Sequence, residues 1–149
     1  VLSGIVIGII TVVIILWRRR IISAKPVPEE TPAEIALRAL EGIEQDVSIK
    51  TDIDRFYVEV SSIVRRYIDR QFGLHAPEQT SEEFLSLAEI SRAFDSDNQR
   101  TLERFLQACD AVKFAKAKPT PEDTHYIIET ARGFVRATSD GTVFAEAEG

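Results

Sequence analysis

The chain has 149 residues, a single cysteine and a formal net charge of -6. From Pro26 onward, 24 acidic residues stand against 14 basic ones. An acidic region without a stripe of Lys and Arg is not expected to bind nucleic acid, and a lone cysteine excludes a disulfide framework and a thiolate metal cage.

The N-terminal segment is apolar and ends in a basic cluster. Residues 1–17 carry no charge, and Arg18, Arg19 and Arg20 follow directly. The run covers roughly 25 Å as a helix, which predicts a transmembrane helix with its basic flank at 1–22 and with Trp17 at the lipid headgroups. A signal peptide would carry its charges before the apolar stretch. Because the chain begins with Val and contains no Met, we expect a piece of a longer precursor.

The positive charges after the span also predict the topology. By the positive-inside rule, the rest of the chain faces the cytoplasm, as a single-pass protein of the inner membrane that contacts the lipid bilayer. Residues 23–30 contain Pro26, Pro28, Glu29 and Glu30, which fit a short extended spacer.

The first two helices of the soluble part are marked by their caps and apolar stripes. Thr31 and Glu34 form a capping box, and Pro32 begins a helix that runs to about Glu44. A second, longer helix starts after Thr51 or Asp52 and stops at Gly73. Its apolar stripe follows the 3.6-residue period: Ile53, Phe56, Tyr57, Val60, Ile63, Val64, Tyr67 and Ile68.

Three further helices are predicted toward the C-terminus. A short one opens with the capping box of Thr80 and Glu83, and another begins near Asp95. The last begins with the same device at Thr120 and ends near Thr138. Residues 139–149 are small and acidic, which predicts a disordered tail.

These elements predict an all-α fold in which an N-terminal transmembrane helix precedes a small bundle of about five amphipathic helices. The bundle forms a cytoplasmic helical domain at 31–138. The second helix is the longest and should be central. We expect it to bury Phe56, Val60, Ile63 and Tyr67 against the fourth and fifth helices.

The residues that most often carry catalysis lack partners in this sequence. His75 and His125 have no second ligand at metal-binding spacing, and Cys109 lies on an apolar stripe. No nucleophile elbow, phosphate-binding loop or dinucleotide motif is present. We therefore expect no catalytic residues, no cofactor, no metal and no small-molecule substrate, and we do not expect an enzyme.

Four charged residues of the second helix are candidates for ion pairs or recognition. Arg65 and Asp69 are spaced i,i+4 and can pair, whereas Arg66 and Arg70 carry like charges one turn apart without an acid in their own helix. Two explanations stay open for this pair. A neighbouring helix supplies an acid, with Asp110 as the candidate for Arg66, or the arginines face a partner protein.

The end of the fourth helix is the other candidate site. Lys113 can pair with Asp110, and Lys116 can cap the last carbonyls beside Phe114. Lysines at a helix C-terminus also suit the helix dipole, so an ordinary helix end explains the segment equally well.

Five segments together resemble a family of uncharacterised bacterial proteins with one membrane span and a small cytoplasmic helical domain. They are residues 34–40, 56–61, 65–73, 80–84 and 110–116, and the Asp-x-Val-Lys-Phe-Ala motif at 110–115 is the most specific. Similar segments occur at the C-terminal end of BatD-like aerotolerance proteins. The resemblance covers residues 32 to about 138.

This resemblance implies a non-enzymatic component of a membrane complex. Such proteins are generally encoded beside a MoxR-type AAA+ ATPase and proteins with von Willebrand factor A domains, which would be the partners. The expected function is a membrane-anchored cytoplasmic protein-interaction domain. The alternative is a signal-transmitting domain that couples an outer sensor region to a cytoplasmic partner.

Overall fold

A computed structural model describes residues 29–140, and these residues form only helices and connecting segments. The six α-helices of this range are α1 (Pro32–Gln45), α2 (Val47–Thr51), α3 (Ile53–Phe72), α4 (Ser81–Ser91), α5 (Ser96–Ala115) and α6 (Pro121–Thr138). A 3₁₀ turn (Ala76–Glu78) lies between α3 and α4.

Three helices begin with the capping boxes that the sequence predicts. At α1, the Thr31 hydroxyl accepts the Glu34 N–H at 3.2 Å, and the Glu34 carboxylate accepts the Thr31 N–H at 2.8 Å. The same reciprocal bonds join Thr80 to Glu83 at α4 and Thr120 to Asp123 at α6. The backbone hydrogen bond from the threonine lowers the pKa of each of the three carboxylates.

Left-handed residues end α3, α4 and α5. Gly73 ends α3 with φ of 67°, a conformation that costs glycine little. Arg92 and Lys116 take the same region at the ends of α4 and α5, with φ of 52° and 55°, although each carries a Cβ. The chain therefore turns at the end of each of these three helices.

The core surrounds α3, which contacts α1, α2, the 3₁₀ turn, α5 and α6. Phe56, Val60, Ile63 and Tyr67 are buried, as predicted. In addition α1 packs against α6, α5 packs against α6, and α4 packs against α5. The buried cluster also includes Leu40 and Ile43 of α1, Phe84 of α4, Leu102, Phe105 and Leu106 of α5, and Ile127, Ile128 and Phe134 of α6.

A hydrogen-bonded link joins the ends of α3 and α6. The Tyr67 hydroxyl lies 2.9 Å from the Thr138 hydroxyl and donates to the Val135 carbonyl at 3.3 Å. Gln71 donates to the carbonyl of Ser139 at 3.2 Å, so the first residue of the predicted tail is held against α3. Residues 141–149 lie outside the described range.

The predicted fold is wrong in two respects. First, a short helix, α2, stands where a connection between helices was expected, so the described bundle has one helix more than predicted. Second, no helix within residues 29–140 is long and apolar enough to cross a membrane. The segment predicted to span, 1–22, with Trp17, Arg18, Arg19 and Arg20, and the start of the spacer at 23–28 lie outside the described residues. The described fold is thus a helical bundle without a membrane-spanning helix.

Candidate interaction site

A groove of about 740 Å³, here called the α3–α5 groove, lies between two long helices and the segment that connects α3 to α4. One wall is the face of α3 that bears Val58, Ser62 and Arg65, and the other is the last turn of α5 with Asp110, Lys113 and Phe114. Pro77 and residues 79–82 close one side. The groove therefore brings together Arg65 and the 110–116 segment, the two constellations that the sequence singled out.

Arg65 fastens the connecting segment to α3. Its side chain is buried, and its guanidinium donates to the carbonyls of Ala76 at 2.9 Å and Gln79 at 3.0 Å and to the Ser81 hydroxyl at 2.7 Å. The guanidinium carbon also lies 5.7 Å from the centre of the Phe84 ring. Burial lowers the pKa of Arg65, and the nearby Asp110 charge opposes that change. A buried arginine with three acceptors is a structural clamp for this wall.

The predicted pair of Arg65 and Asp69 is not formed, because the two side chains take different neighbours. Arg65 points into the groove, while the Asp69 carboxylate lies 3.7 Å from Nδ1 of His75. His75 itself occupies the left-handed region, with φ of 49°, just before the 3₁₀ turn.

The predicted pair of Arg66 and Asp110 is also not formed. Arg66 and Arg70 are exposed on the side of α3 that faces α1, where both line a small depression together with Pro32, Ile35, Ala36 and Ala39. Asp110 lies on the opposite side of α3, beside Arg65. Within residues 29–140, neither Arg66 nor Arg70 has an acidic group at ion-pair distance.

The end of α5 presents an exposed aromatic side chain at the rim of the groove. Phe114 is 76% exposed, and the Lys113 ammonium lies 5.1 Å from the centre of its ring. Lys113 forms no ion pair with Asp110 among the described residues. Lys116 ends the helix through its own backbone N–H, as a C-cap, and its side chain lies outside the groove. Val58 is a second exposed apolar residue in the same groove.

The connecting segment contains a buried acceptor without a partner. Oε1 of Gln79 is buried and has no hydrogen-bond donor within the described part of the chain. The sequence did not reveal Gln79 and Ser62, because nothing in their local spacing marks them. Val58 alone carried a weak signal, as an apolar residue on the polar face of an amphipathic helix.

A second cluster missed by the sequence lies between α1 and α6. Arg132 forms ion pairs with Glu44 of α1 and with Glu129 of its own helix. The hydrogen bond to Glu44 raises the pKa of Arg132. The 88 residues that separate the two partners explain why no local pattern could reveal this pair.

Cys109 is an inert core residue, as its position on the apolar stripe predicts. Its side chain is fully buried, and burial raises the pKa of the thiol to about 12, with a smaller contribution from the adjacent Asp110. Because the thiolate is the reactive form, the folded protein should resist alkylation.

We expect iodoacetamide at pH 8 to label Cys109 only after denaturation, measured by mass spectrometry with and without urea. The ordinary thiol pKa of 9.0 applies to the unfolded chain. The contribution of the neutral thiol to stability is therefore complete below pH 9 and falls as the pH rises toward 12. Labelling of the native protein at the rate of the denatured protein would contradict this burial.

No group of three or more His, Cys, Asp or Glu residues in the described range is arranged to hold a metal ion. The chemistry that the α3–α5 groove offers is thus an exposed aromatic ring, a valine, two cations and two carboxylates. No protein family model, no curated protein and no solved structure matches this chain.

Proposed function

We propose that this helical domain is a non-enzymatic protein-interaction module and that the α3–α5 groove is its docking surface. The observation that carries the proposal is Phe114, which stays 76% exposed beside the groove although the other large apolar residues of its helix are buried in the core. An exposed aromatic ring is costly in water and is typical of the centre of a protein interface.

The groove resembles a binding hot spot in composition. Aromatic and arginine side chains are enriched at such sites, and here Phe114 stands at the rim while Arg65 forms a rigid part of the wall. The hydrogen bonds of Arg65 hold residues 76–81 in place before any partner arrives. A wall that is already ordered lowers the entropy cost of binding.

The lining of the groove indicates the chemistry of the partner segment. A large apolar side chain would cover Phe114 and Val58, and a carboxylate would reach Lys113, which lacks an acidic partner among the described residues. We therefore propose a protein segment with an acidic residue next to a large apolar residue as the ligand.

The resemblance to the BatD-like family supplies candidates for this partner. We propose a MoxR-type AAA+ ATPase or a protein with a von Willebrand factor A domain, assembled with this domain in one complex. The motif that carries the resemblance, residues 110–115, includes three of the groove residues, Asp110, Lys113 and Phe114.

Site-specific photocrosslinking tests the docking surface in the full chain in its native host. We expect a photoreactive phenylalanine analogue at position 114 to give one dominant crosslinked protein, because Phe114 should lie in the interface. The same analogue at Ile90 is the matched control, since Ile90 is 79% exposed on α4 and does not line the groove. Mass spectrometry of the crosslinked peptide identifies the partner segment.

A charge reversal distinguishes docking from chance proximity. Lys113→Glu should abolish the crosslink at position 114, whereas Lys116→Glu, which changes the same charge outside the groove, should preserve it. Equal crosslinking at positions 90 and 114, or a crosslink that survives Lys113→Glu, would refute the proposed docking surface.

A further inference from the structure

A second cavity, of about 530 Å³, lies on a different part of the domain from the α3–α5 groove. Here called the α2–α6 pocket, it is formed by the end of α1, by α2, by the first turn of α3, and by the beginning of α6 with the loop that precedes it. Its volume falls within the range of small-molecule sites, about 300–1,000 Å³.

The interior of the α2–α6 pocket is apolar and rigid. Phe56 and Ile128 are buried residues of the core whose edges reach the pocket, and Ile53 is partly buried beside them. Pro119 and Pro121 form the wall on the α6 side. Prolines lack an N–H donor and have fixed φ angles, so this wall offers apolar contact and little conformational freedom.

The polar groups of the pocket are predominantly basic. Lys50 and His125 both line it, both are exposed, and neither has a carboxylate at ion-pair distance within residues 29–140. The remaining charged lining residue, Glu44, is paired with Arg132. Two basic side chains therefore stand beside an apolar surface.

We propose that the α2–α6 pocket binds a small amphiphilic carboxylate. Lys50 and His125 hold the carboxylate at the mouth, and Ile53, Phe56 and Ile128 contact the apolar body of the ligand. The charge of Lys50 selects an anion over a neutral compound of the same shape. This binding is independent of the partner proposed for the α3–α5 groove, because the two cavities share no lining residue.

Decanoate serves as the probe, with decanol as its neutral counterpart. In methyl-labelled full chain, we expect decanoate to shift the NMR signals of Ile53 and Ile128, and decanol to shift them only at several-fold higher concentration. Lys50→Gln should weaken decanoate binding about three- to fivefold, the effect of one solvent-exposed ion pair. Lys116→Gln removes the same charge at a distant surface site and should leave the affinity unchanged.

A reversal of ligand preference provides the decisive result. Lys50→Glu should abolish the decanoate shifts and allow decyltrimethylammonium to shift the same two isoleucine signals. The proposal is overturned if decanoate and decanol bind equally well, if Lys50→Glu leaves decanoate affinity unchanged, or if the shifts fall on residues outside the pocket. Because partner crosslinking at Phe114 is a separate measurement, failure here leaves the proposed docking surface standing.

Discussion

Replacing Phe56 by alanine is expected to destabilise the domain by about 3–5 kcal/mol, the usual cost of removing a buried phenylalanine. The ring is 2% exposed and lies on α3, which contacts all three of the other long helices that form the core around it. It also meets the Tyr57 ring edge-on, with centroids 5.7 Å apart. The cavity left behind cannot collapse without moving several helices.

Thermal unfolding followed by circular dichroism measures this loss. For a domain of about 110 residues, it corresponds to a fall in Tm of more than about 10 °C. Tyr126→Ala is the matched control, because that aromatic side chain is 69% exposed and should leave the Tm nearly unchanged. Similar melting temperatures for the two variants would mean that Phe56 is not part of the core.

Removing the guanidinium of Arg65 should cause the second large loss of stability. Arg65→Met keeps most of the apolar volume but removes the donors to the carbonyls of Ala76 and Gln79 and to the Ser81 hydroxyl. Acceptors left without donors in a buried site cost about 1–3 kcal/mol each, and partial hydration should limit the total to about 2–4 kcal/mol. We also expect faster amide exchange in residues 76–82.

The neighbouring arginine is a close control for this experiment. Arg66→Met changes the same chemical group one residue along α3, where the side chain is exposed and forms no ion pair among the described residues. The free energy of unfolding of the Arg66→Met variant should stay within about 0.5 kcal/mol of the value for the unmutated protein. If both variants lose the same stability, the hydrogen bonds of Arg65 do not hold the connecting segment.

Local chemistry explains why most helix boundaries could be predicted from the sequence. A capping box such as that of Thr31 and Glu34 joins residues three apart, so its signal lies within one short window. The left-handed stop at Gly73 is equally local. Seven of the eight residues in the predicted stripe of α3 are buried, and Ile53 is partly buried, because one face of a long helix must meet the core. The stripe did not include Ser61 and Arg65, which are also buried.

The short helix α2 was not predicted, and the reason is physical. It has five residues and buries none of them, so no apolar periodicity marks it. Its cap is Asp46, whose carboxylate accepts the N–H groups of Ser48 and Ile49, at 2.8 and 3.3 Å. This interaction looks the same in sequence as an aspartate in a turn.

The candidate groove was only partly predictable. The sequence singled out Arg65, Arg66 and Arg70 as well as the 110–116 segment, but it could not tell which arginine turns toward α5. Successive residues on a helix point about 100° apart, so Arg65 and Arg66 face different neighbours. That choice depends on how α3 is rotated in the bundle, a property of the whole fold.

The closure of the bundle by α6 has a consequence for synthesis of the chain. The Tyr67 hydroxyl reaches residues 135 and 138, about 70 positions later, and α1, α3 and α5 all pack against α6. While the ribosome is still making α6, the parts of those three helices that pack against α6 have no cover. Completion of this fold must therefore follow the emergence of α6, and until then the nascent chain exposes the part of its core that α6 covers.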